Sequence, residues 1–390
     1  MSAQIPRFIV IDVVPPHTRI AESEKRLQET IQLVHTLTGG KGVIGHIVQQ
    51  RIHPDQTTYV GKGKVAELFE LIKREPVDTL VLNDIVSSNQ VYNLKMALWD
   101  ADSDITVWDR VDLILKIFQK HARTAEGKLQ IELAAMQHMG PRIFGMGMIL
   151  SRQGGGVGTR GIGETNTERM KRHWRDAMRE VRLKLAKYQN NQQTRIEKRQ
   201  ERGIKTVAIV GYTNAGKTTL FNTLTGKAKL EKDVLFATLD SATGYLKYKE
   251  QSTEYKVQSE KMNTKSNTFS LQPILVSDTI GFIKNLPPKL VQAFRSTLLE
   301  TVNADLLVHV VDASDPDIEE KIETVQRTLR DLGVEDKPSI MVLNKFDLPP
   351  GADIQKIKDI IHVYQPVCVS VKEADSTKAL TEKIVQILQR

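Results

Sequence analysis

The 390-residue sequence predicts an α/β protein in three parts: a small N-terminal α/β domain over 1–118, a helical hairpin with a glycine-rich loop over 119–202, and a second α/β domain built around a phosphate-binding loop over 203–390. Three observations predict this. Short β-branched runs alternate with helical periodicity through the first part, as in strands joined by crossover helices. A narrow apolar stripe on an otherwise basic background marks the middle part. In the last part, Gly211-Tyr-Thr-Asn-Ala-Gly-Lys-Thr218 matches G-x-x-x-x-G-K-[ST] at every fixed position, with a buried-strand run before it and a helical run after it.

Composition narrows the classes. Apolar residues make up 40% and charged residues 26%, enough for real cores and ordinary for a soluble chain. No apolar run approaches the roughly 18 residues a membrane-spanning helix needs, and Met1–Phe8 lacks the basic and apolar regions of a secretory signal. No stable membrane anchor is therefore expected, and the setting is read as cytoplasmic, with partial membrane association left open. The single cysteine, Cys368, excludes disulfide scaffolds and multi-cysteine metal sites; within Val-Cys-Val-Ser it reads as a small buried filler. The formal charge of +8 is concentrated: His121–Gly203 holds 17 Lys and Arg against 8 Asp and Glu, leaving the other residues near neutral at 38 against 39. A polyanion such as RNA suits that concentration, against the blander reading of a solvated helix face.

In order along the chain, Ile9–Val14 reads as a strand and Ala21–Leu37 as a helix closed by Gly39-Gly40. Val43–Val48 is strand-like and Lys64–Arg74 helical. Tyr59-Val-Gly-Lys-Gly-Lys between them lacks a full phosphate-loop pattern and reads as a turn presenting basic side chains. Val77–Leu82, Asn89–Trp99 and Ile105–Trp108 continue as strand, helix and strand. Val111, Ile114, Leu115 and Phe118 form a helical packing face, extended by Leu129, Leu133 and Met136 in the next helix. Ser151–Gly163 holds six glycines in thirteen residues, too many for a stable helix or strand, and reads as a linker or a loop that orders on a partner. Thr165 and Thr167 can cap the following helix, whose stripe is Met170, Trp174, Met178, Val181, Leu185 and Tyr188. Asn190–Gly203 reads as a polar connector.

The last part carries the chemistry. The phosphate loop comprises Gly211, Tyr212, Thr213, Asn214, Ala215, Gly216, Lys217 and Thr218. Backbone N–H groups and a helix dipole there aim at one point, Lys217 reaches the β- and γ-phosphates, and the Thr218 hydroxyl holds Mg²⁺. Phe236, Ala237, Thr238, Leu239 and Asp240 offer Thr238 as a second Mg²⁺ ligand. The strand at Pro273–Ser277 ends in Asp278, Thr279, Ile280 and Gly281, an Asp-x-x-Gly γ-phosphate sensor. Tyr248–Ser270 reads as a solvated insertion. After the strands at Leu306–Val311 and Ser339–Leu343 come Asn344, Lys345, Phe346 and Asp347. A carboxylate at Asp347 pairs with the guanine N1–H and amine, a donor pair that adenine lacks. Ser370, Val371 and Lys372 follow the last strand and offer a backbone N–H to guanine O6. This ordered series predicts a GTP/GDP site. Phe282 occupies the position where Ras-like enzymes place a water-orienting glutamine, so intrinsic hydrolysis is expected to be slow, with a partner and K⁺ held by Asn214 accelerating it.

The sequence resembles the HflX family of ribosome-associated GTPases. The likeness rests on Tyr59-Val-Gly-Lys-Gly-Lys, Asp109-Arg-Val-Asp-Leu-Ile-Leu, Ala122-Arg-Thr-Ala-Glu-Gly-Lys-Leu-Gln, Arg152-Gln-Gly-Gly-Gly-Val-Gly and Gly161-Ile-Gly-Glu-Thr. It continues through the phosphate loop, Phe236-Ala-Thr-Leu-Asp and Asp278-Thr-Ile-Gly-Phe-Ile. It implies a Ras-like G domain, Thr218 and Thr238 as Mg²⁺ ligands, and GTP-dependent binding to the large ribosomal subunit in splitting or rescue under stress. It also implies RNA contact through the basic segment, for which Arg152, Arg160, Arg169 and Arg172 are the candidates, and a monomer off the ribosome. Thr218 stands where many relatives have Ser, the insertion near Tyr248–Ser270 is longer than expected, and with 20 residues beyond Ser370 no extra C-terminal domain is expected. Two other classes remain open: a non-ribosomal GTP-dependent switch for a protein or membrane partner, and an RNA remodeller.

Overall fold

The computed structural model describes residues 6–153, 160–227, 242–248, 273–284, 290, 298–349, 351, 353–373 and 376–389. Its contacts divide it into two compact units, the first holding 1–189 and the second most of the remainder.

In the first unit, β1 (Phe8–Val14), β2 (Val43–Gln50), β3 (Thr79–Leu82) and β4 (Thr106–Asp109) form an all-parallel sheet in the order β2-β1-β3-β4. The crossovers are α1 (Ile20–Thr38), α2 (Lys62–Arg74) and α3 (Ser88–Leu98). β1 is buried along its whole length, which explains its unbroken apolar run apart from Asp12. Gly39, at φ 79, closes α1 in the left-handed conformation that glycine adopts without steric cost. Ser87 and Gln90 cap α3 reciprocally. α4 (Arg110–His121) follows β4 directly, with Asp109 as its N-cap.

The carboxyl edge of this sheet is polar and buried. Asp12, fully buried, takes Arg26 Nε at 3.1 Å and Nη2 at 3.3 Å. The Tyr59 hydroxyl donates to Asp84 at 2.8 Å, and the backbone of Tyr59 is left-handed at φ 68. Asn83 accepts from Arg110 Nη1 at 3.1 Å. The basic turn that begins at Tyr59 thus contains a buried aromatic anchor, with Gly61 as the N-cap of α2.

α5 (Ala125–Gln153) and α6 (Arg160–Glu201) supply the hairpin. Leu133, Val181 and Leu185 pack together with Leu129, Met136 and Met178, as the stripe predicts. The Trp174 indole N–H donates to the Met136 carbonyl at 3.1 Å. Asp109 and Asp112 tie α5 to the start of α4: Arg142 bridges both carboxylates, and His138 Nε2 lies 3.1 Å from Asp109 Oδ1. Burial opposes the charged form of His138, but those carboxylates outweigh it and raise its pKa to about 9, so the imidazole is protonated at neutral pH.

Four expectations are corrected. The glycine-rich run is not wholly irregular: its first three residues end α5, and helix resumes at Arg160; residues 154–159 lie outside the described residues. Thr165 and Thr167 fall inside α6 and do not cap it. Asn190–Gly203 is no connector, because α6 continues to Glu201, buries Ile196 and pairs Arg199 with Glu300 at 3.1 Å. Its Gln, Arg, Lys and Glu residues favour helix on propensity alone, without an apolar stripe. Cys368 is exposed, because its strand is two residues long and lies at a sheet edge.

The second unit is a six-stranded sheet in the order β10-β9-β8-β5-β7-β6. Its strands are β5 (Thr206–Gly211), β6 (Ala242–Tyr245), β7 (Leu275–Asp278), β8 (Leu306–Asp312), β9 (Ser339–Asn344) and β10 (Val367–Cys368). Only β6 runs antiparallel. Helices α7 (Lys217–Thr225), α8 (Leu299–Asn303), α9 (Ile318–Asp331), α10 (Ile354–Tyr364) and α11 (Lys378–Leu388) complete its described helical elements. Val207, Ile209, Phe221, Val276, Val308 and Val342 lie at the centre of its core. Residues 249–272, nearly all of the predicted insertion, lie outside the described residues.

Candidate functional site

β5, β7, β8, β9 and β10 run parallel to one another, so the loops predicted to touch nucleotide open on one edge of the sheet. β5 lies between β7 and β8 and delivers the phosphate loop. A Cβ at Gly211 would strike the Val310 carbonyl, and one at Gly216, at φ 88, would strike the Asn344 amide. Glycine is required at both places for close approach, and at Gly216 also for its left-handed backbone. Gly216 begins α7 without a side-chain cap, leaving the first N–H groups of the helix to an anion.

Lys217 is buried, and its Nζ donates to the Tyr212 carbonyl at 2.6 Å. Burial lowers its pKa to about 8, with Asp278 acting in the other direction. A cation held this way is poised for phosphate. The Thr218 hydroxyl lies 3.0 Å from Asp278 Oδ2, and Asp278 is 1% exposed at the end of β7. This pairing of a hydroxyl and a carboxylate oxygen is a donor set that fits a hard divalent cation. Thr238, with Phe236, Ala237, Leu239 and Asp240, lies outside the described residues.

The Asp278–Gly281 turn is stitched to the phosphate loop. Thr279 Oγ1 donates to the Ile209 carbonyl at 2.6 Å, and Ile280 is buried. Phe282 N donates to the Gly211 carbonyl at 3.1 Å, and Thr213 N donates to the Phe282 carbonyl at 2.8 Å. A Cβ on Gly281 would stand 2.9 Å from both Lys217 Nζ and Thr213 Cα, so no side chain fits there without a shift. Phe282 is 2% exposed, its ring inside the protein. The Tyr212 hydroxyl accepts from Lys284 N at 2.8 Å, and Lys321 Nζ lies 5.2 Å from the centre of the tyrosine ring.

The predicted base side draws on the ends of β8, β9 and β10. Asn344 is buried and its Nδ2 donates to the Ala215 carbonyl at 2.9 Å, locking this loop to the phosphate loop. Lys345 is left-handed at φ 59 and its Nζ lies 2.7 Å from Asp312 Oδ2. Phe346 is half exposed, and the Asp347 carboxylate has Lys372 Nζ at 3.8 Å. Ser370 N donates to Ser376 Oγ at 3.2 Å. Among the described residues, Thr213 Oγ1, Asn344 Oδ1 and Ser370 Oγ are buried without a hydrogen-bond partner. Buried polar groups ordinarily have one, and these three are themselves among the predicted nucleotide residues. Val371 follows Ser370 in the turn after β10.

The structure adds residues that the motifs do not mark. Asp312 holds Lys345, and Lys284 donates its backbone N–H to the phosphate-loop Tyr212. His309 on β8 is buried, and burial together with the Lys217 charge lowers its pKa to about 4, so it is neutral at physiological pH. No motif reveals them, because each acts through a partner distant in sequence. Of the arginines predicted to meet RNA, Arg169 and Arg172 are exposed on α6. Arg152 and Arg160 lie in the backbone of α5 and α6, with side chains outside the described residues.

Family models match along the chain: one described as GTP-binding GTPase N-terminal at residues 24–119, one as GTP-binding GTPase Middle Region at 121–199, and one as 50S ribosome-binding GTPase at 206–345. GTPase HflX of Alkalihalophilus pseudofirmus is 40% identical over 368 residues, covering 94% of this chain and 79% of that one. GTPase HflX of Caldanaerobacter subterraneus subsp. tengcongensis is 41% identical over 327 residues, covering 84% and 70%. The crystal structure of the complex of SsGBP and GDP shares the fold at a TM-score of 0.50 and 24% identity, over 98% of each chain. A six-stranded sheet presenting a complete phosphate loop, together with relatives this similar over most of their length, places the chain in the HflX family, and it is a GTPase.

Proposed function

We propose that this GTPase binds the large ribosomal subunit in its GTP state and uses hydrolysis to leave it, in ribosome splitting or rescue under stress. The observation that carries the reading is the basic face of α6: Arg169, Arg172, Arg175, Arg179, Arg182, Lys184 and Lys187 are all exposed, while the opposite seam packs on α5. Such a row neutralises phosphates and releases counterions. The description 50S ribosome-binding GTPase, attached to the model matching residues 206–345, points the same way.

The proposed organisation is an N-terminal domain over 1–118, a hairpin over 119–202 delivering Arg152, Arg160, Arg169 and Arg172 to RNA, and a G domain over 203–390. In the site, Gly211–Thr218 and Gly281 take the phosphates. Thr218 and Thr238 ligate Mg²⁺, which neutralises charge on the phosphates. Asn344, Asp347 and the Ser370–Lys372 turn take the base. K⁺ beside the exposed Asn214, itself left-handed at φ 64, supplies a second cation. The protein works in the cytoplasm as a monomer when off the ribosome; among the described residues no helix is long and apolar enough to cross a membrane.

Sedimentation with purified ribosomal subunits tests the proposal. Co-migration with large subunits is expected with a non-hydrolysable GTP analogue and not with GDP, and it should weaken when Arg169 and Arg172 are both changed to Glu. Equal pelleting in both nucleotide states, or none in either, refutes it, the latter favouring a switch with a non-ribosomal partner.

A further inference from the structure

Asp312 lies outside every nucleotide motif, yet its carboxylate reaches the predicted base loop at Lys345. It ends β8 directly opposite Asn344 in the β8–β9 register. Its side chain is only 14% exposed. Oδ1 accepts from Ser314 N at 2.9 Å and from Ser314 Oγ at 2.6 Å, while Oδ2 takes Lys345 Nζ at 2.7 Å. The adjacent backbone is tied as well, with Ala313 N donating to the Asn344 carbonyl at 2.9 Å.

Lys345 needs such a hold. Its φ of 59 places a lysine where a non-glycine residue is disfavoured, and its long side chain loses rotamer freedom wherever it is fixed. A carboxylate that is itself fixed by two hydrogen bonds is a preorganised partner for the ammonium. With the head group anchored at the end of β8, the methylene stem is confined along the loop between Asn344 and Asp347. Asp347 is anchored differently: its charged neighbour Lys372 is 80% exposed and 3.8 Å away. The base loop therefore has a rigid half and a looser half.

We propose that Asp312 is a positioning residue for guanine nucleotide, acting through the Lys345 ammonium so that the lysine stem is already in place when the base arrives. The inference rests on reading Asn344–Asp347 as the base-recognition loop. On this division of labour, Asp347 selects the purine by hydrogen bonding, and the Asp312–Lys345 pair sets how tightly any accepted purine is held. Loss of Asp312 thus weakens guanine and hypoxanthine nucleotides by the same factor and leaves the ratio between them unchanged.

The test is a double-mutant cycle on GDP and IDP affinity by calorimetry, using the full chain. Asp312→Ala is expected to weaken both ligands about tenfold, the cost of one charge-assisted contact. Asp312→Asn, which keeps an acceptor for Ser314, should do the same, and Asp312→Glu should restore part of the loss. In the Lys345→Ala background, Asp312→Ala should cost less than twofold more. The loss should appear in KM for GTP and not in kcat. A further tenfold loss in the Lys345→Ala background, or wild-type affinity in both Asp312→Ala and Asp312→Asn, overturns the proposal while leaving the base-loop reading intact. Wild-type GDP affinity in Lys345→Ala overturns both.

Discussion

Replacing Lys217 by Met should make the nucleotide-free protein more stable. The folded-state pKa of Lys217 is about 8 against an ordinary 10.5, so the fold penalises the charged form. At about 1.4 kcal/mol per unit, the penalty at pH 7 is about 3 kcal/mol. The variant also loses the hydrogen bond to the Tyr212 carbonyl, about 1 kcal/mol, leaving a net gain of about 2 kcal/mol. For a domain of this size that raises the melting midpoint by about 4–8 °C. The pH dependence has a definite sign. A lysine whose folded pKa is lowered costs stability in full below pH 8, and the cost fades between pH 8 and 10.5 as the unfolded lysine also loses its proton. The advantage of the variant should therefore be largest at pH 7 and nearly gone at pH 10. Thermal melts without nucleotide at both pH values, following the transition that GDP shifts in the wild type, measure it. Lys217→Met removes one partner of the phosphates, so the GDP-induced shift should shrink. A variant less stable than wild type at pH 7, or an advantage equally large at pH 10, would refute the assignment of Lys217 as a strained, phosphate-awaiting cation.

Three further outcomes can be checked. Gly281→Ala places a methyl against Lys217 Nζ and Thr213 Cα, so single-turnover GTP hydrolysis should fall about tenfold or more while GDP binding is kept within a few-fold. Asp347→Asn should move preference from guanine towards xanthine nucleotides by about 100-fold in competition binding, because an amide reverses one hydrogen-bonding direction at the base. Arg142→Ala leaves the buried Asp109 and the partly buried Asp112 with His138 as their one cationic partner among the described residues, so the melting transition that GDP does not shift should lose about 3 kcal/mol, seen as a lowered midpoint.

Much of the nucleotide edge could be read from residue order alone, because the loop chemistry is local. Gly211, Gly216 and Gly281 are glycines for steric reasons visible in the structure, and the motif captures those reasons without knowing them. The alternating strands and helices of the first unit were equally legible, since β1 and β3 are buried throughout and have the apolar runs that follow from it. What was not legible depends on distance along the chain. Arg26 and Arg110 satisfy buried Asp12 and Asn83 from elements 14 and 27 residues away, and Asp312 meets Lys345 across two strands. The end of α6 was missed for another reason: a solvent-exposed helix of good formers has little periodicity to detect, and its single buried Ile196 is not a stripe. Cys368 was misjudged because an apolar tetrapeptide suggests an interior strand, whereas β10 is a two-residue margin.

That margin makes the two ends of the nucleotide cleft unequal. The triphosphate end rests on β5, hydrogen-bonded to a neighbour on each side and buried from Val207 onward. The end proposed for the purine includes the turn after β10, which has a neighbour on one side only and an adjacent helix with exposed Ile361 and Val363. Local opening follows the weakest pairing. On the proposed reading of the site, exchange of spent nucleotide is expected to begin at the purine, with the phosphates leaving last.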